Sequence, residues 1–280
     1  MTRINDQTGS RDRPFARGLN AGKVWLVGAG PGDAELLTLK ALRVLQQSGI
    51  WLVDDLVGRD ILAFARPGTR IIEVGKRGGC SSTPQEFILR LMGSHARQGH
   101  TVARVKGGDP FIFGRAGEEI AWLTERGIEV EAVGGLTAGL AAASALGLPL
   151  THRTVARGVA LVTASTADHT RPDWKALARS GLSIVCYMGM ARPQALVAEW
   201  LAAGFAATLP AAIVQHVSRP DQRQAFTTLE NLAWTIEARK LASPAIIVLG
   251  EVVRYAQVNN KPESLIAGRL KQTSSMGTCG

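Results

Sequence analysis

Short apolar runs alternate with amphipathic stretches along most of the chain, which is the pattern of strands alternating with helices. In the first half, we predict strands at residues 23–28, 50–53, 70–74, 101–105 and 129–133. We predict helices between them at residues 35–47, 84–97 and 114–126. Residues 36, 37, 39, 42 and 45, for example, are all apolar and form one helical stripe. Alternation at this spacing predicts a mostly parallel sheet with right-handed crossovers.

A second alternating set follows a stretch of small residues, 134–147, which we predict to be a helix bridging two lobes. Strands are predicted at residues 158–163, 183–188, 211–215 and 245–249, and helices near 174–179, 193–203 and 229–238. The chain is therefore expected to have two α/β domains. Each is expected to be a mostly parallel sheet flanked by helices, with the active site in the cleft between the domains.

We place the N-terminal domain at residues 22–136 and the C-terminal domain at residues 137–257. Residues 1–21 lack periodicity and are interpreted as a disordered arm, and residues 258–280 as a polar tail. The N-terminus has no apolar signal-peptide core, and no apolar run approaches the roughly 20 residues of a membrane span. We expect a cytoplasmic protein without a membrane partner.

The composition is that of an ordinary globular enzyme, with 46% hydrophobic and 20% charged residues among 280. The three cysteines, Cys80, Cys186 and Cys279, lie far apart and form no CxxC pair. This argues against a disulfide framework and against a zinc site, so we expect free thiols and no metal.

The net charge is +9, and 24 of the 32 basic residues are arginine. Guanidinium groups bind carboxylates and phosphates bidentately, so the charge favours an anionic partner. An arginine-rich composition without functional meaning explains it equally well. An RNA-binding protein is an alternative, but aromatic residues make up only 5% and no RNA-stacking motif is present. We expect no nucleic-acid partner.

A glycine-rich loop, VGAGPGD at residues 27–33, directly follows the first predicted strand. Glycines let a backbone turn sharply and approach a ligand closely, although a tight structural turn has the same requirement. A dinucleotide-binding loop would carry glycine where Asp33 stands, and Pro31 removes a backbone N–H that a phosphate would need. The loop therefore disfavours a nicotinamide dehydrogenase.

A second loop, KGGDPFIFGRAGEE at residues 106–119, follows the fourth strand. Gly107 and Gly108 allow close backbone approach, and Asp109 can accept hydrogen bonds from an amine or a ribose. Ile112 and its phenylalanine neighbours offer apolar walls. A structural turn rarely needs so many special residues in a row, so this loop is a candidate ligand site.

Further candidates lie at the start of the small-residue helix and just beyond it. Thr137 can cap that helix or bond a ligand. Arg153 can meet a carboxylate, whereas His152 is more typical of a structural histidine. Asp54 and Lys76 follow the second and third strands, at the edge where open α/β sheets place ligands. The periodic pattern is equally compatible with both side chains being ordinary surface charges.

The motifs VGAGPGD, GKR, KGGDPFIFGRAGEE and GLPLTHR, in this order, resemble those of the tetrapyrrole (corrin/porphyrin) methyltransferase family. The resemblance covers residues 24–253. It implies a homodimer that binds S-adenosyl-L-methionine between its two lobes. Taken together, the motifs are most similar to the branch that methylates uroporphyrinogen III twice, through precorrin-1 to precorrin-2, in cobalamin or sirohaem biosynthesis. A methyltransferase acting on a later precorrin and an RNA-modifying methyltransferase are the alternatives.

The resemblance also implies roles for individual residues. Asp54 matches a proton acceptor and Lys76 a proton donor. The residues matching cofactor contacts are Pro31, Gly107, Gly108, Asp109, Ile112, Thr137, Ala138, Met188 and Val217. The sequence departs from the family pattern at three places: Val53 stands where tyrosine is common, and Gly134 where proline is usual. A third is Thr163-Ala-Ser165 in place of the usual Thr-Gly-His.

Overall fold

The computed structural model describes residues 22–75, 83–164 and 170–256, which form two β-sheets, one after the other along the chain. Both sheets are flanked by helices, which confirms the predicted α/β class with two domains. The predicted N-terminal arm, the C-terminal tail and Lys76 lie outside the described residues.

The first sheet has the strand order β3-β2-β4-β1-β5 and is parallel throughout its five described strands. Its strands are β1 (Val24–Gly28), β2 (Ile50–Val53), β3 (Arg70–Glu73), β4 (Val102–Lys106) and β5 (Val130–Val133). Parallel strands place all their carboxyl ends at one edge of a sheet. The loops that follow them therefore share that edge.

Helices cover both faces of the first sheet, because alternate side chains of each strand enter two separate apolar clusters. The helices are α1 (Leu39–Gln47), α2 (Gln85–Arg97) and α3 (Ala116–Thr124). Helices α2 and α3 cover one face and α1 the other. Helix α1 begins four residues later than predicted, since the Thr38 hydroxyl caps it and a 3-10 turn (Ala34–Leu36) precedes it.

The second sheet has the order β6-β7-β10-β8-β9 and is mostly antiparallel, which corrects the prediction of a mostly parallel sheet. Only the β6–β7 pair is parallel among its described strands. Its strands are β6 (Val159–Thr163), β7 (Ser183–Tyr187), β8 (Pro210–Gln215), β9 (Arg223–Thr228) and β10 (Ala245–Leu249). Strand β9 carries few apolar residues, so the hydrophobic pattern does not predict it. Its short connection from β8 allows a hairpin but no parallel crossover, which needs about a dozen residues.

Antiparallel pairing in the second sheet still leaves β6, β7 and β8 pointing the same way. Strands β7 and β8 both run opposite to β10, and β6 is parallel to β7. Their carboxyl ends therefore meet at one edge of this sheet as well.

Helices also cover both faces of the second sheet. Helices α5 (Trp174–Arg179), α6 (Pro193–Ala202) and α7 (Leu232–Ala238) cover one face, where the Cys186 thiol is buried. Burial raises the pKa of that thiol to about 12. Helix α4 (Ala138–Ala145) covers the other face, and its small residues bring it close to β7 and β10. No helix within the described ranges is long and apolar enough to cross a membrane.

His95 on α2 makes stability depend on pH. The ring is buried, and neither nitrogen has a hydrogen-bond partner among the described residues. Burial, with the charges of Arg70 and His100, lowers its pKa below the usual 6.5. The unfolded chain therefore takes up this proton more readily as the pH falls through 6.5. We expect His95 to lower the free energy of unfolding as the pH falls below 6.5, by at most about 1.4 kcal/mol per pH unit. Above pH 7.5, His95 should have no effect on the free energy of unfolding.

Urea unfolding between pH 5 and 8 checks this prediction. The variant His95→Leu should lose this part of the slope, while His100→Gln, a change at an exposed neighbour, should retain most of it. Equal slopes for the wild type and His95→Leu would contradict it.

Candidate functional site

The loops after β1, β4 and β5 are packed backbone against backbone at the carboxyl edge of the first sheet. Gly30 and Gly108 exchange two hydrogen bonds, with N···O distances of 3.2 and 2.7 Å. Both have positive φ, +75° and +70°, which favours glycine. A Cβ atom on Gly28 would lie 2.5 Å from the nitrogen of Gly135. The glycines of the first two motifs are therefore needed for contact between loops.

Asp109 ties two of these loops together. Its carboxylate accepts hydrogen bonds from the N–H of Phe111 at 2.8 Å and from the N–H of Gly135 at 3.0 Å. The first bond shapes the loop after β4, and the second joins that loop to the segment after β5. Ile112 in this loop is half-buried, and Pro31 beside the first glycines is buried.

Tyr187, at the end of β7, connects the start of α4 to the second sheet. Its hydroxyl lies 2.8 Å from the Thr137 hydroxyl and accepts a hydrogen bond of 2.8 Å from the N–H of Gly139. Burial raises the pKa of Tyr187. The Phe113 ring lies 4.9 Å from the Tyr187 ring, measured between centroids, so the loop after β4 also contacts the second sheet. Tyr187 was not among the predicted site residues.

The loop after β8 reaches back to the first domain. The Ser218 hydroxyl accepts a hydrogen bond of 3.0 Å from the N–H of Asp33, and Arg219 donates one of 2.6 Å to the carbonyl of Leu56. A Cβ atom on Gly32 would lie 3.2 Å from the carbonyl oxygen of Val217. The loops containing Pro31 and Val217 therefore face each other directly.

We call the loops after β1, β4, β7 and β8 the facing loops. They carry most of the unusual backbone conformations. Six non-glycine residues have positive φ within the described chain, and only Lys240 lies elsewhere. The other five are Phe113, Arg115, Met188, His216 and Ser218. Such conformations cost on the order of 1–3 kcal/mol each and cluster at functional sites. Met188 is 47% exposed, so its side chain is open to a ligand.

The predicted cofactor residues thus lie on segments that meet. Pro31 and the group around Asp109 are on the first domain, Thr137 and Ala138 begin α4, and Met188 and Val217 follow strands of the second sheet. Contacts between Phe113 and Tyr187, and between Gly32 and Val217, connect the two sides.

Asp54 directly follows β2 at the same edge, and its N–H donates to the Val105 carbonyl at 3.0 Å. One carboxylate oxygen lies 3.1 Å from a guanidinium nitrogen of Arg104, and the side chain is 28% exposed. Its neighbour Asp55 is exposed.

Buried charges that were not among the predicted site residues lie beneath this edge. Glu118 and Glu119 are neighbours in the first turn of α3, but their surroundings differ. Glu118 is exposed and pairs with Arg115, whereas Glu119 is fully buried against Arg104 and Lys106. Burial and the Arg104 charge lower the pKa of Lys106. The sequence does contain a signal for this cluster. Side chains two residues apart in a strand point to the same face, so Arg104 and Lys106 share one face of β4.

Arg153 lies on a separate turn of the second domain, closed by two backbone hydrogen bonds between His152 and Ala156. With Arg157 it lines a cavity of about 290 Å³. The His152 ring stacks on Tyr255 at 4.4 Å between centroids.

Residues 23–233 match the family described as Tetrapyrrole (Corrin/Porphyrin) Methylases. The chain is 54% identical to the uroporphyrinogen-III C-methyltransferase of Pseudomonas aeruginosa, over 88% of this chain and 100% of that one. It is 44% identical to the siroheme synthase of Chromobacterium violaceum, over 84% of this chain and 50% of that one. The crystal structure of Uroporphyrin-III C-methyl transferase from Thermus thermophilus complexed with S-adenyl homocysteine is similar, with a TM-score of 0.72 and 42% identity. This similarity covers 83% of this chain and 99% of that one.

The glycine contact between the loops predicts that Gly135→Ala destabilises the protein. Its Cβ would overlap the Gly108 carbonyl oxygen and lie 2.8 Å from the Gly28 carbonyl carbon, so backbone must move. We expect a loss of about 2–3 kcal/mol or more in the free energy of unfolding. Gly134→Ala is the matched control, because among the described residues its Cβ would meet only an Asp109 oxygen, at 3.2 Å. Equal stability of the two variants in urea unfolding would refute the prediction.

Proposed function

Because the chain belongs to the tetrapyrrole (corrin/porphyrin) methylases, we propose that it is an S-adenosylmethionine-dependent C-methyltransferase of uroporphyrinogen III. Two methyl groups are transferred in turn, through precorrin-1 to precorrin-2. The observation that carries this proposal is the 54% identity to the Pseudomonas aeruginosa enzyme over that enzyme's whole length. The order of the GKR, GRAGEE and LTHR motifs also favours this early substrate over a later precorrin.

The facing loops fit S-adenosylmethionine. A Cβ atom on Gly108 would meet no described atom closer than 3.9 Å, so the space beside this glycine is open to a ligand, whereas a Cβ on Gly107 would lie 2.6 Å from Leu56. Ile112 supplies an apolar contact. Pro31, Thr137 and Ala138 complete the near side, and the remaining proposed contacts, Met188 and Val217, lie across the cleft. The Thermus thermophilus relative, described as complexed with S-adenyl homocysteine, supports this choice of cofactor.

S-adenosylmethionine supplies a methyl group on a positively charged sulfur. The task of this chain is then to hold a pyrrole carbon in line with that methyl group. Positioning of this kind is worth up to roughly 7–11 kcal/mol. We infer that Leu56, Phe113 and Met188, which are exposed apolar side chains beside the facing loops, contact the macrocycle.

Alkylation leaves the macrocycle with a positive charge, so a proton must depart. We assign Asp54 as the acceptor, because it directly follows β2 at the carboxyl edge and is partly open to solvent. Its charge also stabilises the cationic macrocycle. Lys76 is proposed as the proton donor on the family resemblance alone.

The acid side chains of the substrate require cations. Arg153 and Arg157 are exposed around one cavity and suit carboxylates, which each guanidinium can bind through two parallel hydrogen bonds. We propose that they hold the periphery of the macrocycle.

The pathway, the oligomeric state and the cellular location are proposed on less specific grounds. The chain spans half of the siroheme synthase that it matches. We propose a methylated product that feeds cobalamin or sirohaem biosynthesis. A homodimer located in the cytoplasm, without a nucleic-acid partner, is proposed from the family resemblance.

A methyl-transfer assay with labelled S-adenosylmethionine tests the proposed function. Two methyl groups per uroporphyrinogen III are expected, with little transfer to later precorrins or to tRNA and rRNA. Preference for a later precorrin would replace the proposed substrate.

In the same assay, Asp54→Asn should lower the single-turnover rate roughly 10²–10⁴-fold, because it removes the proton acceptor. Asp55→Asn, a change at the exposed neighbour, should stay near the wild-type rate. A wild-type rate for Asp54→Asn would remove Asp54 from the mechanism.

Calorimetry with S-adenosylhomocysteine tests the cofactor site. Asp109→Ala leaves the N–H groups of Phe111 and Gly135 without their acceptor, so both loops should loosen. We expect affinity to fall at least tenfold, which corresponds to about 1.4 kcal/mol. Asp109→Asn, which retains an acceptor oxygen, should fall less. Unchanged affinity in Asp109→Ala would exclude these loops as the cofactor site.

A further inference from the structure

Four ionisable side chains form a cluster at and beneath the carboxyl edge of the first sheet, which we call the buried ion cluster. Its members are Asp54, Arg104, Lys106 and Glu119. The Glu119 side chain is fully buried, and those of Arg104 and Lys106 are 2% and 6% exposed. Asp54, at 28%, is the member that opens toward solvent. The cluster therefore connects the buried layer between β4 and α3 to the candidate catalytic carboxylate.

Every nitrogen of the Arg104 guanidinium is engaged. One terminal nitrogen lies 3.1 Å from Asp54, and the other donates to the carbonyls of Leu52 and Val105, both at 3.3 Å. The Nε atom donates to Glu119 at 3.4 Å. Since the guanidinium is planar, these partners set its orientation completely.

Glu119 is in turn held from two other elements. Both of its carboxylate oxygens accept from the Lys106 ammonium at 3.1 Å, and one accepts from the Gln85 amide at 3.0 Å. These donors come from β4 and α2. The carboxylate that orients Arg104 therefore cannot rotate away without leaving buried donors unpaired, which is costly.

We propose that Arg104 is a positioning residue that holds the Asp54 carboxylate in its reactive orientation, and that Glu119 holds Arg104. The proposal rests on the proposed function, in which Asp54 accepts a proton from the macrocycle. Arg104 is too deeply buried to touch the substrate itself and acts through Asp54. Without the guanidinium, the Asp54 side chain can turn toward solvent, and a displacement of about 1 Å can cost 10²-fold in rate.

A double-mutant cycle on the single-turnover rate tests this assignment. Arg104→Lys keeps the charge but cannot contact Asp54 and Glu119 in one plane. We expect it to lower the rate about 10–100-fold, with the affinity for S-adenosylhomocysteine and the KM for uroporphyrinogen III changed less than threefold. In the Asp54→Asn background, the same substitution should lower the rate less than twofold further, because its only route of action is already gone. Glu119→Gln provides a second variant for the same cycle if Arg104→Lys does not fold.

Lys23→Met is the matched control. It removes the ion pairs of another buried cation of the first sheet, which precedes β1 and contacts Glu129 and Glu131 rather than any member of the buried ion cluster. A rate within threefold of the wild type supports the proposal, and a loss equal to that of Arg104→Lys would overturn it by showing a merely structural role. Fully multiplicative effects of Arg104→Lys and Asp54→Asn would also overturn it. A slow Asp54→Asn with a fast Arg104→Lys refutes positioning alone, whereas a fast Asp54→Asn refutes the role of Asp54 itself.

Discussion

Direct contact between the backbones of Gly28, Gly108 and Gly135 is the constraint on which the rest of the site depends. A Cβ atom on Gly28 or Gly135 would overlap neighbouring backbone, so the loops after β1, β4 and β5 approach as closely as atoms allow. Asp109 reinforces this packing, because one carboxylate accepts from two of the loops. The chain leaves the first sheet here and enters α4, so the same contact also determines where the second domain begins its packing.

The second domain completes the site through the direction of its strands. Strands β7 and β8 are parallel to each other although neither pairs with the other, because both are antiparallel to β10. Met188 and Val217 consequently emerge from one edge, and the carbonyl of Val217 faces Gly32 of the first domain. The hydrogen bonds from Asp33 to Ser218 and from Arg219 to Leu56 hold the two edges together. Positive φ at Met188 and Ser218 is the local cost of aiming these loops at the cleft.

Charged side chains are buried beneath the carboxyl edge of the first sheet as well as exposed on it. Strand β4 changes from Val102 to Arg104 and Lys106 along a single face as it approaches that edge. Burying such groups is expensive unless they are paired, and Glu119 on α3 pairs with both. Helix α3 thus stabilises the strand and, through Arg104, the position of Asp54.

The sequence by itself determined the α/β class, the strands of the first sheet and the motifs that identify the family. These depend on local patterns: the apolar period within each element, and glycine or proline at fixed positions in a loop. It also placed Asp54, Asp109 and Thr137 at strand ends and at a helix start, because each directly follows or precedes a recognisable element. Only the tertiary structure decided the direction of the strands in the second sheet, the existence of β9 and the separate environments of Glu118 and Glu119. Strand direction depends on which distant segments pair. Whether a charged side chain is buried and paired depends on side chains far away in the sequence, as with Arg104 and Glu119, which are 15 residues apart. Neither leaves a periodic signal in the local sequence, because both are determined by contacts that form only when the chain is folded.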